Sequence, residues 1–282
     1  MIKNIFKKIY RSIIELLPPK LSIVIQFLRR LHRLPNLANP RSFNEKIQKL
    51  KLTPPTDDMV RFSSKSLVKP IIAEILGADW VIPSYWQGQY LPPREERLWP
   101  VPFVIKASHA SGWNRFVITS KDCDWDLIER DCKLWDRPFE PFLYETWYNL
   151  SPREIVVEPY LGEIASLPLD FKFFVFNGNV EWIQVDTDRA TSHKRVFFDR
   201  KWNRAPFNIE YPIETREIAQ PIYLEEMISA AETIGKRFKF VRVDLYELEN
   251  GPKFGEATFA PGSGYERFSP PAFDLQFGQL WR

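Results

Sequence analysis

Two Asn-Gly pairs restrict what this chain can fold into. Asn177-Gly178 divides the run DFKFFVFNGNVEWIQVDTD, and Asn250-Gly251 divides VRVDLYELENGPKFGEATF. Each run is rich in Val, Phe and other strand formers, and Asn-Gly between such flanks is the strongest short-range hairpin signal. The second half of the chain must therefore build antiparallel sheet.

The remaining texture supports a mixed fold. SFNEKIQKLKL opens on Ser42 with Glu45 three residues later, a capping box. A helix is expected over Ser64–Leu76, ending at Gly77. LPPREERLWPVP, Leu91 to Pro102, is a proline-rich connector and the best boundary in the sequence. Beyond it FVIKAS and RFVITS read as strands joined by HASGWN, and Asp124–Trp135 reads as a helix. EIVVEPYL and RVFFD read as strands, and Pro221–Arg237 as a helix. Strands and helices do not alternate regularly, so the fold class is α+β with mainly antiparallel sheets. Three regions follow: residues 1–40, a basic amphipathic helical segment; 41–100, a mainly helical subdomain; and 101–282, the sheet-bearing domain, divided near 165.

Charge is unevenly spread. Residues 1–35 hold eight Lys/Arg against Glu15, a net +7; the chain carries +3, so residues 36–282 carry −4. An acidic body argues against nucleic acid as partner. Ile2, Ile5, Phe6, Ile9, Ile13, Leu16 and Leu17 recur at helical spacing until Pro18-Pro19. This basic, apolar segment packs on the body, lies on an anionic membrane surface, or meets a partner protein. The longest apolar run, Leu21–Leu28, is far short of the ~18 residues a spanning helix needs. No secretory cleavage pattern follows it, which points to the cytoplasm. Cys123 and Cys132 fall in one expected helix on opposite sides and read as free thiols. With so few Cys and His, a bound metal would have oxygen ligands, as Mg²⁺ does.

The second hairpin carries two acids. If Glu249, Asn250 and Gly251 form a three-residue loop, Asp244 faces Glu256 and Arg242 faces Thr258. Arg242, Asp244, Tyr246, Phe254, Glu256 and Thr258 then share one face. Val241, Val243, Leu245, Ala257 and Phe259 take the other, apolar face. Carboxylates about 5 Å apart repel by roughly 3 kcal/mol at an effective dielectric of 20. Either a cation lies between them or one is protonated. The cation is a divalent ion, or Arg242 serves as a local partner on a solvated face.

Arg242-x-Asp244, Glu256-x-Thr258 and Pro261-Gly262 resemble the metal-binding end of the ATP-grasp superfamily. Thr258 stands where that superfamily usually has Asn. The order of other segments agrees: Lys106 with ASHASGWN, VVEPYLG, DFKFFVFNG and VDTDRATSHKR. The strings SFNEKIQKLK, IKASHASGWN and RVDLYELENGPKFGEATFAPGSG are similar to the TupA-like branch, named for teichuronopeptide synthesis. SSKSLVKPIIAEILG departs from that branch, which usually has an Asp-Lys pair there.

The resemblance implies an ATP-grasp fold with ATP and Mg²⁺ as cofactors. It implies nucleotide contacts from Lys106, Ser108, Ser111, Gly112, Glu158, Tyr160, Leu161, Asp170 and Lys172. Asp244, Glu256 and Thr258 would hold metal. Arg242, Lys172 and Arg189 would act on the transferring group, and Arg189, His193, Arg195, Gly262 and Ser263 on substrate. The implied activity is ATP-dependent carboxylate–amine ligation through an acyl phosphate, in surface polysaccharide synthesis, joining an amino acid to a uronic acid. The partners are then a carboxylate acceptor and an amine donor, with peripheral contact to the inner face of the membrane through residues 1–35. Two rivals remain: a glycosyltransferase with a metal site at Asp186-Thr187-Asp188, and a non-catalytic ATP-binding assembly module.

Overall fold

The structure, a computed structural model, describes residues 10–162, 169–189 and 191–282. The stretch containing Ile2, Ile5, Phe6 and Ile9 lies outside the described residues. Residues 10–16 are helical, and Pro18 separates them from α1 (Pro19–Leu31). Ile14, Ile23 and Phe27 are buried. Arg33, just past α1, donates to Ser42 Oγ at 2.9 Å, Glu45 at 2.8 Å and Asp274 at 2.7 Å. One guanidinium thus ties the amino-terminal segment to α2 (Phe43–Lys51) and to the last helix of the chain.

The capping box at the head of α2 forms: Ser42 Oγ accepts from the Glu45 amide, and the Glu45 carboxylate accepts from the Ser42 amide. Helices α3 (Asp57–Ser63) and α4 (Val68–Leu76) follow. The helix expected from Ser64 starts four residues later. Ser64 and Ser66 turn their hydroxyls onto Ser108 Oγ, at 2.8 and 2.7 Å, and this holds the chain in a turn. Gly77 ends α4 with φ +103°.

A four-stranded antiparallel sheet comes next: β1 (Trp86–Gly88), β2 (Phe103–Ala107), β3 (Asn114–Val117) and β4 (Ile155–Pro159), in the order β1-β4-β2-β3. Its strand β1 precedes the proline-rich connector, yet pairs with β4. Phe103, Ile105, Val117, Ile155 and Val157 form its apolar face with Ile128 of α5 (Trp125–Trp135). Cys132 lies on α5. Cys123 does not, because Asp124 caps that helix by accepting from the Leu127 amide. Both cysteines are free. A short α6 (Thr146–Leu150) leads into β4.

The larger sheet holds β5 (Asp170–Phe176), β6 (Asn179–Thr187), β7 (Lys194–Phe198), β9 (Phe240–Leu248) and β10 (Gly251–Thr258), ordered β10-β9-β5-β6-β7 and antiparallel throughout. Between them, β8 (Asn208–Ile209) pairs with β11 (Phe268–Ser269). The β5–β6 turn places Asn177 at φ +50° and Gly178 at +82°, as its sequence predicts. Helix α7 (Leu224–Gly235) covers one face; at Gly235 an added Cβ would meet Val175 Cγ1 at 2.3 Å.

The other face changes character along the strands. Phe176 pairs with Phe240 at one end, under the phenyl rings of Phe43 and of Phe277 from α8 (Ala272–Leu280). Phe174 pairs with Arg242 next, then Lys172 with Asp244, then Asp170 with Tyr246. Core thus gives way to charge on a single face, because period-2 alternation keeps these residues on one side.

The second hairpin has a shorter loop than expected. Leu248 pairs with Gly251, so the loop is Glu249-Asn250 alone, and early pairs are offset by one. A bulge at Gly255 cancels the offset, so Glu256 does pair with Asp244 and Thr258 with Arg242. Phe254 pairs with Leu245, not on the Asp244 face as expected. Gly255 is required: an added Cβ would meet the Tyr246 ring at 2.9 Å and the Asp244 carbonyl at 3.0 Å.

Candidate functional site

The charged end of the large sheet is one connected cluster. Lys172 Nζ bonds Asp170 and lies 2.7 Å from Asp244 Oδ2. Arg242 donates to both Asp244 oxygens, at 2.6 and 2.7 Å. The same guanidinium reaches Glu256 at 3.2 Å and the Thr258 hydroxyl at 3.1 Å. The cation between the facing acids is therefore Arg242. Burial pushes the Asp244 carboxyl up, against the pull of Arg242 and Lys172. Burial acts on Glu256 in the same sense, but Arg242 and Lys65 outweigh it and hold that acid at about 2. Lys172 is buried, which favours its neutral form, yet Asp170 and Asp244 keep its pKa raised. Asp170 Oδ1 is buried without a partner among the described residues.

A cleft of about 810 Å³ separates this cluster from the smaller sheet. On its far wall Glu158 bridges two lysines, Lys106 Nζ at 2.6 Å and Lys69 Nζ at 2.5 Å. Lys65 bonds the Ala110 carbonyl and lines the same cleft; burial lowers its pKa against the charges of Glu256 and Glu158. Ser111, Gly112, Tyr160 and Leu161 also line it. The Tyr160 amide donates to the Pro102 carbonyl at 3.1 Å. Ser108 does not point into the cleft as expected. It is fully buried, with its hydroxyl taken by Ser64 and Ser66.

The arginine loop is largely self-satisfied. Arg195 was expected to bind substrate, but it is buried between Asp186 at 2.6 Å and Glu266 at 3.1 Å. Its charge is matched before any ligand arrives. His193 stacks on Tyr211 with ring centroids 3.7 Å apart. Its Nε2 lies 3.1 Å from Asp186 Oδ1 at an angle that makes no hydrogen bond. Asp188 pairs with Arg216 at 2.6 Å. Arg189 is more exposed and reaches Asp170 at 3.4 Å. Asp170, Asp186, Arg189, His193, Arg195 and Tyr211 border the cleft, whereas Glu266, Asp188 and Arg216 do not.

Gly262 and Ser263 both take left-handed φ, +53° and +55°. Gly262 borders the cleft. Ser263 faces a second cavity, of about 1090 Å³, on the other side of Arg242 and Glu256. Its hydroxyl accepts from Lys51 Nζ at 3.0 Å, and Lys51 also lies 4.3 Å from the Tyr265 ring centre. Sequence reasoning passed over Lys65 and Lys69, the first in the turn before α4 and the second in its first turn, because neither carries a motif. It also passed over Glu145 and Tyr148, which line the second cavity; neither carries a motif.

The donor set at the junction fits a hard cation. Asp244, Glu256 and Thr258 offer only oxygen. Both Asp244 oxygens are engaged by Arg242 and Lys172. Glu256, its side chain 39% exposed, is the more accessible acid. Among the described residues no group of three or more His, Cys, Asp or Glu side chains is placed to hold a metal alone. Mg²⁺ there would complete its shell with water and phosphate oxygens, its usual habit.

No curated protein matches this chain. Among solved structures, the D-alanine–D-alanine ligase from Bacillus anthracis aligns with TM-score 0.46 and 16% identity, over 78% of this chain and 65% of that one. An L-amino acid ligase from Bacillus licheniformis aligns with TM-score 0.44 and 12% identity, over 88% of this chain and 56% of that one. The chain spans less than two thirds of the length of either ligase. A sequence model of the TupA-like ATPgrasp family matches residues 45–282, most of the chain. The expected fold is therefore present, and the chain belongs to the TupA-like ATP-grasp family.

Proposed function

We propose that this protein is an ATP-dependent carboxylate–amine ligase. One observation carries the reading: Arg242 and Glu256 line two adjoining cavities, one edged with lysines and one with room for a second substrate. A phosphoryl group passing from nucleotide to acceptor would move where the two cavities meet. Lys65, Lys69 and Lys106 supply positive charge on the nucleotide side, where Asp170 Oδ1 offers an unused acceptor for a ligand hydroxyl. Arg242 orients the acceptor carboxylate and steadies charge on the transferring group. Attack of that carboxylate on the γ-phosphorus gives an acyl phosphate and ADP; an amine then displaces phosphate and forms the amide. Mg²⁺ on Glu256 and Asp244 would neutralise phosphate charge during transfer.

The substrate class we infer is a uronic acid of a surface polysaccharide, joined to an amino acid. Measuring ADP release with pools of uronic acids and amino acids tests it. Release should need one member of each pool, and Asp244→Asn and Glu256→Gln should each lower it by about 100-fold. Activity surviving both substitutions would remove the metal assignment. Tight ATP binding with no ADP release across the pools would favour a non-catalytic module. The glycosyltransferase alternative is weakened, because Asp188 pairs with Arg216 and does not border the cleft. Preference for a UDP-sugar over ATP would revive it.

We also infer peripheral contact with an anionic membrane. No helix among the described residues is long and apolar enough to cross one. Leu21, Ile25 and Leu28, four and three residues apart on α1, are all exposed, with Lys20, Arg29 and Arg30 beside them. Leu21→Ser/Leu28→Ser should reduce co-sedimentation with phosphatidylglycerol vesicles; an unchanged bound fraction would remove this contact.

A further inference from the structure

The second cavity is larger than one uronic acid requires. Its volume, about 1090 Å³, lies just above the ~300–1,000 Å³ typical of sites for drug-sized ligands. At one end it meets the nucleotide cleft through Ser111, Arg242, Glu256 and Gly262. At the other end, Arg11, Arg29 and Arg30 line it. Two of these guanidiniums are pre-oriented on aromatic rings: Arg29 lies 4.2 Å from the Tyr10 ring centre and Arg11 4.7 Å from that of Phe142. Glu140, 3.3 Å from Arg11, offsets one charge; among the described residues the one acid paired with Arg30 is Glu210, at 3.5 Å. That end of the cavity therefore stays net positive. Stacked guanidiniums recognise planar carboxylates and phosphates well, because the fork of donors is held in place. The aromatic walls add apolar surface for a ring to lie against.

We propose that this cavity binds an anionic oligosaccharide acceptor, with its reacting carboxylate at Arg242 and a second negative group at Arg11, Arg29 and Arg30. The identity of the acceptor as a uronic acid rests on the ligase reading above; the length and charge requirement does not. Helix α1 then has two jobs on two sides. Gln26, Arg29 and Arg30 face the cavity, while Leu21, Ile25 and Leu28 face outward.

The test is calorimetric titration of the full chain, without nucleotide, with galacturonate and with trigalacturonate. The trimer should bind at least about tenfold more tightly than the monomer. Arg29→Ala/Arg30→Ala should bring the trimer down to the monomer's affinity. Both side chains are exposed, so the variant should keep its thermal midpoint. Equal affinity for monomer and trimer, no trimer binding, or a double variant that binds the trimer normally would overturn the proposal. So would a variant that loses only its binding to phosphatidylglycerol vesicles. The two readings separate cleanly. Length-dependent binding without ADP release would sink the ligase and keep the site. ADP release with a trimer KM unmoved by the double variant would keep the ligase and sink the site.

Discussion

Lys172 on β5 and Asp244 on β9 stand directly opposite each other, with Nζ 2.7 Å from Oδ2. Lys172 is buried, and the same amine holds Asp170. Its place is therefore structural as well as electrostatic: it keeps buried Asp244 and partly buried Asp170 from repelling. Lys172→Met should destabilise the fold by about 2 kcal/mol, the cost of leaving buried acceptors short of a donor. Adding Asp244→Asn to that variant should recover part of the loss. Urea unfolding of the two single variants and the double variant measures the coupling, and simple additivity would refute it.

Gly255 sets the register that pairs Glu256 with Asp244. Gly255→Ala should cost about 1–3 kcal/mol, since the methyl would press on the Tyr246 ring and the Asp244 carbonyl. A displaced bulge would also unpair Glu256 from Asp244, so ADP release should fall more than stability alone explains. Gly251→Ala makes the comparison. It meets nothing within 4 Å but sits at φ +101°, so it should affect stability with little effect on chemistry.

Lys65 and Lys69 should matter for nucleotide more than for fold. Lys65→Met should weaken binding of a fluorescent ATP analogue by about tenfold, the scale of one charge-assisted contact to phosphate. Lys69→Met should weaken it less, because Glu158 keeps Lys106. Equal affinities for the wild type and Lys65→Met would place the phosphates elsewhere.

His109 should give the β2–β3 loop an acid-sensitive stability. Burial lowers its pKa below the ordinary 6.5, and its Nδ1 has no partner among the described residues. The unfolded chain therefore takes up a proton at a higher pH than the folded one. This contribution is full above about pH 6.5 and is lost as the pH falls through the folded value. The thermal midpoint should drop as the pH falls below about 6.5, and His109→Phe should flatten that part of the profile.

Elements set by near neighbours were legible in the chain. The Asn177-Gly178 turn, the Ser42–Glu45 capping box and the stop at Gly77 each depend on a few adjacent residues. The facing of Asp244 and Glu256 was also expected, though from a loop one residue too long. The bulge that rescues the pairing has no local sign, since Gly255 is demanded by the Tyr246 ring across the strand. Helix α4 starts late for a similar reason: Ser64 and Ser66 answer to Ser108, more than forty residues away.

The sequence by itself determined the long strands of the two larger sheets, which hairpins close and that two acids and an arginine share one face, because period-2 alternation and turn chemistry act over short distances; the short β1, β8 and β11 carried no such signal. Only the tertiary structure decided where charge is already matched and where it is open. Arg195 looked like a substrate ligand until Asp186 and Glu266 closed on it, whereas Lys65 and Arg29 carried no motif and yet line the cavities. The reason is electrostatic: a charged side chain's role depends on the partners that folding brings within a few ångströms, and these come from distant parts of the chain.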